Sequence, residues 1–381
     1  MERLPLHRTR IVDLTMAWAG PYGTRLLADM GAEVIKVEAV NNWDLLRALA
    51  GMAPTVENVW NKSAMFNHVN RNKYACTLDL SHPWGKELFL RLVAISDVVI
   101  ENYRSEVMDG LGLSYDVLRS VKTDIILVSL PSHGKTGISY GDPMAGIAAA
   151  GAVALALWHR RRTGEGQYVE VAQWENLINL IGEHILGYSM NGTQPPPQGN
   201  RHSSMAPHGC YPCSGDDRWV TIAVEDDDQF AALCRAMGQP ELAADPRFAD
   251  VVSRYKHQDE LDAIVAAWTR ERTPQEVTEA LQAVGVPAAP VLTVPDLFDD
   301  THLRARGFWE SVSHPEAGVW DMDGVVWRMS ASPANIRLPA PRFGEHNDYV
   351  LRDLLGLSEQ EIEALAAEGV IGSEPDLSVH W

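Results

Sequence analysis

Apolar and polar positions in the first third of the chain switch between two periods. Residues 10–14 (RIVDL) form an apolar run of strand length. Residues 22–30 place Leu26, Leu27 and Met30 on one side of a helix, and residues 33–37 (EVIKV) form a second short run. Pro21 stands where that helix can start and Gly31 where it must stop. Strand, helix and strand with such short connections make a parallel pair with a right-handed crossover. The pattern recurs as helix 84–95, strand 98–100, helix 111–120 and strand 125–129. A doubly wound α/β domain is predicted.

Further on, residues 142–162 read as a long Ala-rich helix, 168–171 as a strand and 173–188 as a helix. The character then changes. Residues 191–199 are polar and rich in Pro and Gly, as expected of a linker. A strand pair follows around 209–213 and 219–224, joined by the turn SGDD. Helices are predicted at 228–237, 254–268 and 274–284. The terminal helix, 358–368, starts at a Ser cap with Glu at the third position beyond it. The division expected is a large domain over 1–190, a linker over 191–199, a small domain over 200–290 and a final stretch over 291–381.

Charge narrows the function classes. The chain carries 51 acidic against 32 basic residues, a formal −19. Such a surface repels nucleic acid and anionic membranes, and no basic run with interleaved aromatics offsets it. The N-terminus lacks the apolar core of a secretory signal. The apolar stretch 145–158 is shorter than a bilayer span and runs into HRRR, so it is expected to be a core helix. Cys210 and Cys213 form a C-x-x-C without a second pair at zinc spacing, which favours packing cysteines over a metal site. A cytoplasmic protein without a metal is the expectation.

The first βα turn, TMAWAGP over 15–21, lies where an open α/β sheet holds its ligand, although it has no G-x-G-x-x-G. The helix start at Pro21 could bind a phosphate or carboxylate, or could simply be a stiff beginning to a structural helix. Spacing alone leaves both open. Residues 11–38 (IVDLTMAWAGPYGTRLLADMGAEVIKVE) resemble the N-terminal signature of the family III CoA-transferases. This group includes the formyl-CoA, carnitine and bile-acid CoA-transferases and is related to alpha-methylacyl-CoA racemase. The resemblance continues at 70–80 (NRNKYACTLDL), 96–118 (SDVVIENYRSEVMDGLGLSYDVL), 159–176 (HRRRTGEGQYVEVAQWEN), 285–291 (GVPAAPV) and 344–358 (GEHNDYVLRDLLGLS).

That resemblance implies a Rossmann-like large domain built from both ends of the chain, an inserted smaller α+β domain and an interlocked homodimer. It implies a CoA-transferase that needs no bound cofactor and takes an acyl-CoA and a carboxylic acid as substrates. The nucleophile position falls on Glu175, where the family usually has Asp. The CoA positions fall on Ala17, Trp18 and Ala19, on Asn72 and Lys73, with Lys73 facing a phosphate, and on Asn102 and Tyr103. The stretch 199–202 is the part of the small domain expected to reach the partner's site.

Several positions depart from the family pattern. Met16, Ala17 and Trp18 replace His, Val and Gln of the formyl-CoA type, Ala39 and Gly110 replace basic residues, and a wall-forming segment after Ser129 is missing. The related racemases carry a catalytic His in that segment, and His133 is the candidate substitute. Two other readings therefore stand beside CoA transfer: proton abstraction at the α-carbon of an acyl-CoA, and a non-catalytic CoA-binding subunit. Trp18 and Tyr140 hint at a bulky acyl group.

Overall fold

The protein is described by a computed structural model over residues 4–53, 55–104, 106–130, 141–194 and 198–379. His133, Tyr140 and the rest of 131–140 lie outside the described residues. The chain divides into two units, Met1–Leu186 with Ala305–Trp381, and Gly187–Arg304.

The larger unit is organised by a parallel sheet of β1 (Arg10–Asp13), β2 (Glu33–Glu38), β3 (Lys73–Thr77), β4 (Val98–Glu101), β5 (Ile126–Ser129) and β6 (Tyr168–Glu170). Their order is β3-β2-β1-β4-β5-β6, so the chain reverses direction across the sheet between β1 and β4. The helices are α1 (Ala19–Asp29), α2 (Leu45–Ala48), α3 (Ala64–Asn70), α4 (Pro83–Ala94), α5 (Val107–Gly110), α6 (Tyr115–Val121), α7 (Gly141–Thr163), α8 (Gln173–Asn179) and α9 (Gly182–Asn191).

Neighbouring strand residues point to opposite faces, and both faces are buried, as parallel sheets require. Val12, Ile35, Val99 and Leu127 pack with Leu88, Phe89 and Leu92 of α4 and with Leu351 and Leu365 from the chain's end. Ile11, Val34, Val98, Ile126 and Val128 pack on the other side with Leu26 and Leu27 of α1 and Ala149 and Val153 of α7. The return of the C-terminal stretch to this domain agrees with the expectation.

Helix α7 corrects the expectation of a buried core helix. Ala145, Ala149, Ala150, Val153 and Ala156 are buried, but Ile147, Leu155 and Trp158 are exposed. By length and composition it could cross a membrane, and only a third of its most apolar window is buried. Its buried side crosses α1 with backbone against backbone. A Cβ on Gly146 would lie 2.4 Å from the Ala19 carbonyl oxygen, and one on Gly23 would lie 2.6 Å from that of Gly146.

Other differences have local causes. Helix α6 begins after Ser114, whose hydroxyl accepts from the Val117 N–H, four residues later than predicted. The single helix predicted over 173–188 is two, α8 and α9. Strand β3 and a hairpin of β10 (Trp309–His314) and β11 (Gly318–Asp323) were absent from the pattern-based elements.

In the smaller unit, β7 (His208–Pro212), β8 (Trp219–Ala223) and β9 (Ala288–Val291) form an antiparallel sheet. Tyr211, Val220 and Ile222 pack against Phe230, Leu261, Val265 and Leu281. Cys210 and Cys213 are free thiols, and Cys213 is buried in that core. Among the described residues no group of three His, Cys, Asp or Glu side chains could hold a metal.

Candidate active site

Because β1, β4 and β6 are parallel, Thr15–Ala19, Asn102–Tyr103 and Glu175 all follow strands at the carboxyl end of the sheet. The reversal between β1 and β4 opens the crevice where such sheets bind ligands.

The turn after β1 is held almost entirely by side chains. Thr15 donates its N–H (2.9 Å) and its hydroxyl (2.5 Å) to Asp13 Oδ1, and its carbonyl accepts from Lys36 Nζ at 2.7 Å. Met16 is bonded at both its N–H and its carbonyl by the Asn102 side chain. The Ala17 N–H donates to Asp44 Oδ1 at 3.1 Å. Ala17 itself has φ 61, a left-handed conformation that disfavours any residue with a Cβ. Trp18 precedes α1 without a side-chain cap and packs on Leu46, Phe66, Val69 and Ala340. That packing removes the reason for taking Trp18 as a sign of a bulky acyl group.

Below the turn lies a row of buried charges. Lys36 and Asp44, both fully buried, pair at 2.9 Å. Glu38 accepts from Arg47 through both carboxylate oxygens, and Lys73 pairs with Asp13 at 3.0 Å. Burial works against the charge on Lys36, yet Asp44, Glu38 and Asp13 outweigh it and raise its pKa. For Lys73 burial wins. Its pKa falls to about 8, with Lys36 adding repulsion and Asp13 only partly offsetting it.

Lys73 therefore differs from its expected role. Its ammonium donates to Asp13, to the Pro21 carbonyl and to Asn70. All three protons are committed inside the protein, and none is left for a phosphate in this conformation. Asn72 is likewise occupied. It has φ 63, its amide donates to Asp29 and to the Asn335 carbonyl, and its oxygen accepts from the N–H groups of Arg337 and Leu338. It fastens the returning C-terminal stretch to the sheet. Ala19 is buried under α7, whereas Ala17, Trp18, Asn102 and Tyr103 remain half-buried. Tyr103 donates its N–H to Glu101, and burial together with Glu101 pushes its hydroxyl pKa up.

Glu175 sits in the first turn of α8 and is exposed, beside exposed Trp174 and Ile178. The residues that pattern and resemblance did not single out are Lys36 and Asp44. No local signal marks them, since each is read as part of a strand or a helix start until its partner is known.

The comparisons decide the family. The sequence profile described as CoA-transferase family III matches residues 6–140 and 133–347. The chain belongs to CoA-transferase family III. It is 34% identical to the succinyl-CoA–D-citramalate CoA-transferase of Chloroflexus aurantiacus, covering 96% of this chain and 98% of that one. It is 32% identical to the succinyl-CoA–L-malate CoA-transferase beta subunit of the same organism, over 97% of this chain and 98% of the other. A crystal structure of a CaiB/BaiF family protein from Brucella suis superposes with a TM-score of 0.81 at 28% identity, over 92% of this chain and 99% of that one.

Family membership makes the protein a CoA-transferase whose substrates are CoA thioesters. The two profile matches overlap at 133–140, close to where the wall-forming segment was expected to be missing. The alignment with the citramalate enzyme runs over 400 positions, more than the 381 residues of this chain. That relative therefore carries residues with no counterpart here.

Proposed function

We propose that the protein transfers CoA from an acyl-CoA to a free carboxylic acid through a covalent thioester on Glu175. The Glu175 carboxylate attacks the thioester carbonyl, the C–S bond breaks and CoA leaves as its thiolate, giving a mixed anhydride. The thiolate then attacks the glutamyl carbonyl of that anhydride and releases the donor acid as carboxylate. The acceptor carboxylate runs the same two steps in reverse, and Glu175 is regenerated. No oxidant, metal or external proton donor enters this balance, and each step exchanges one acyl group between a carboxylate and a thiolate.

The observation that carries the reading is the position of Glu175. It follows β6 within the family match over 6–140 and 133–347, exposed at the carboxyl end of the sheet that also bears the turn after β1. The extra methylene of Glu relative to the usual Asp changes the reach of the nucleophile, so alignment has to be set by the surrounding backbone. Relatives named for succinyl-CoA, citramalate and malate support succinyl-CoA as donor and a short hydroxylated dicarboxylic acid as acceptor.

The working form in this proposal is an interlocked dimer of two copies. Ile147, Leu155 and Trp158 on α7 and Trp174 and Ile178 on α8 leave large apolar side chains in water, more than an isolated soluble chain usually exposes in one region. A relative is named as a subunit, and the composition of the purified oligomer distinguishes a homodimer from a hetero-oligomer. The four free cysteines fit a reducing cytoplasm.

A panel of acyl-CoA donors and carboxylic acids, with the new thioester read by mass spectrometry, tests the reading. Succinyl-CoA with a hydroxylated dicarboxylic acid is expected to give the new thioester and free succinate. Release of free CoA alone, or no product from any pair, contradicts it.

A further inference from the structure

The backbone of Thr15–Ala17 in the turn after β1 is committed to side chains, and two of these, both buried, form a single ion pair. Lys36 reaches up from the middle of β2 to the Thr15 carbonyl. Asp44, at the start of α2, takes the Ala17 N–H on one oxygen and meets Lys36 with the other at 2.9 Å. The same Asp44 oxygen that holds Ala17 also caps α2 by accepting from the Leu46 N–H at 3.0 Å. Asp44 is itself fixed, since its own N–H donates to Glu38 at 3.1 Å. One buried pair therefore grips the turn on both sides of Met16, while Asn102 grips Met16 itself.

The need for such a grip is visible at Ala17. A residue with a Cβ avoids φ 61 unless its surroundings impose it. Glycine would adopt that conformation freely, and the chain has alanine there. Asp44 at the Ala17 N–H and Lys36 at the Thr15 carbonyl flank that conformation, with Asn102 on Met16 between them, and it decides where the Ala17 and Trp18 backbone groups point.

We propose that Lys36 and Asp44 are positioning residues for CoA: their buried ion pair holds Thr15–Ala17 in the left-handed turn against which the CoA thioester lies. This rests on the CoA-transferase reading above. Neither residue touches substrate in this account. Their effect reaches CoA through the backbone of Ala17, and displacement of that backbone by about an ångström is enough to weaken alignment severely.

The test is the affinity for CoA itself, measured by titration calorimetry on the full chain alongside thermal unfolding. Removing one partner alone would strand a buried charge, so the informative variant removes both, Lys36→Met with Asp44→Ala, which leaves no lone ion behind. The expected result is a folded protein whose dissociation constant for CoA rises about tenfold or more. The second variant adds Ala17→Gly to that background. Glycine reaches the left-handed region without help, so several-fold of the lost affinity is expected to return although no contact has been restored.

Wild-type affinity in the folded double variant overturns the proposal. So does a loss that Ala17→Gly leaves untouched, since a merely structural pair would not respond to the backbone freedom of residue 17. Wild-type protein that does not bind CoA would instead contradict the CoA-transferase reading, whereas wild-type protein that binds CoA and transfers nothing would contradict only its catalytic part.

Discussion

Asn102 holds Met16 by both of its backbone polar groups, accepting from the N–H at 2.8 Å and donating to the carbonyl at 2.8 Å. The bond joins residues 86 positions apart and ties the end of β4 to the turn after β1, across the point where the sheet reverses. A CoA site built on that crevice is thus closed at its base by protein rather than left open for a ligand.

Asn102→Ala removes both bonds at once. The Met16 N–H and carbonyl are half-buried and lose their partners, which costs about 1–3 kcal/mol. Urea unfolding of the variant is expected to show that loss at an unchanged denaturant slope. An unaltered midpoint would mean that water replaces the side chain without cost.

The crossing of α7 over α1 gives a second prediction. Ala19 and Gly20 start the helix that the turn feeds, and a methyl on Gly146 would meet the Ala19 carbonyl oxygen at 2.4 Å. Backbone atoms cannot swing aside as a side chain can, so Gly146→Ala has to push the helices apart. The expected cost is about 1–3 kcal/mol, accompanied by weaker CoA binding. Gly151→Ala, where a Cβ meets nothing within 4 Å, is the control and is expected to be neutral or slightly stabilising.

Glu38 fixes how the fold responds to acid. Burial opposes its ionisation, but Arg47 and Lys36 outweigh burial and hold its pKa below the ordinary 4.5. The unfolded chain therefore takes up this proton more readily than the folded one. The contribution of Glu38 is complete above about pH 4.5 and is lost as pH falls through its lowered folded value. Glu38→Gln is expected to be less stable near neutrality, by about 3–5 kcal/mol, because Arg47 is left buried and unpaired. Its stability should also fall less steeply below pH 4.5 than that of the wild type. Urea midpoints measured from pH 3 to 7 check both parts.

The apolar face of α7 predicts self-association. Leu155 is 70% exposed, and a surface change of that kind alters the stability of an isolated chain by about 0.5 kcal/mol or less. The wild-type 42.1 kDa chain is expected to sediment as a dimer, and Leu155→Glu, which puts a charge into a face the two copies would bury, to lower the dimer's thermal midpoint, because interlocked copies separate only by unfolding. A wild-type monomer, or a variant whose thermal midpoint is unchanged, would contradict the dimer.

The strands with strong apolar runs, β1, β2, β4 and β5, were legible because burial on both faces writes itself into consecutive Val, Ile and Leu. The terminal helix was legible from Ser358 and Glu361, whose capping box forms as its spacing suggests. Strand β3 was not, because Lys73 and Tyr74 open it, and Lys73 can be buried because Asp13, 60 residues earlier in the chain, pairs with it while the Pro21 carbonyl and Asn70 take its other protons.

The same reason explains the site. Resemblance located Asn72, Lys73 and Asn102 as CoA positions, but their side chains are spent on Asp29, Asp13 and Met16. Lys36 and Asp44 escaped notice because a buried ion pair is a property of two distant positions, and neither one alone departs from ordinary usage.

In the proposed reaction Glu175 carries CoA. Incubating the protein with succinyl-CoA and then hydroxylamine, followed by peptide mass mapping, tests it most directly. A hydroxamate on Glu175 is expected, absent without the thioester and absent in Glu175→Gln. An unmodified Glu175 in protein that still transfers CoA, or a hydroxamate on a different residue, would contradict it.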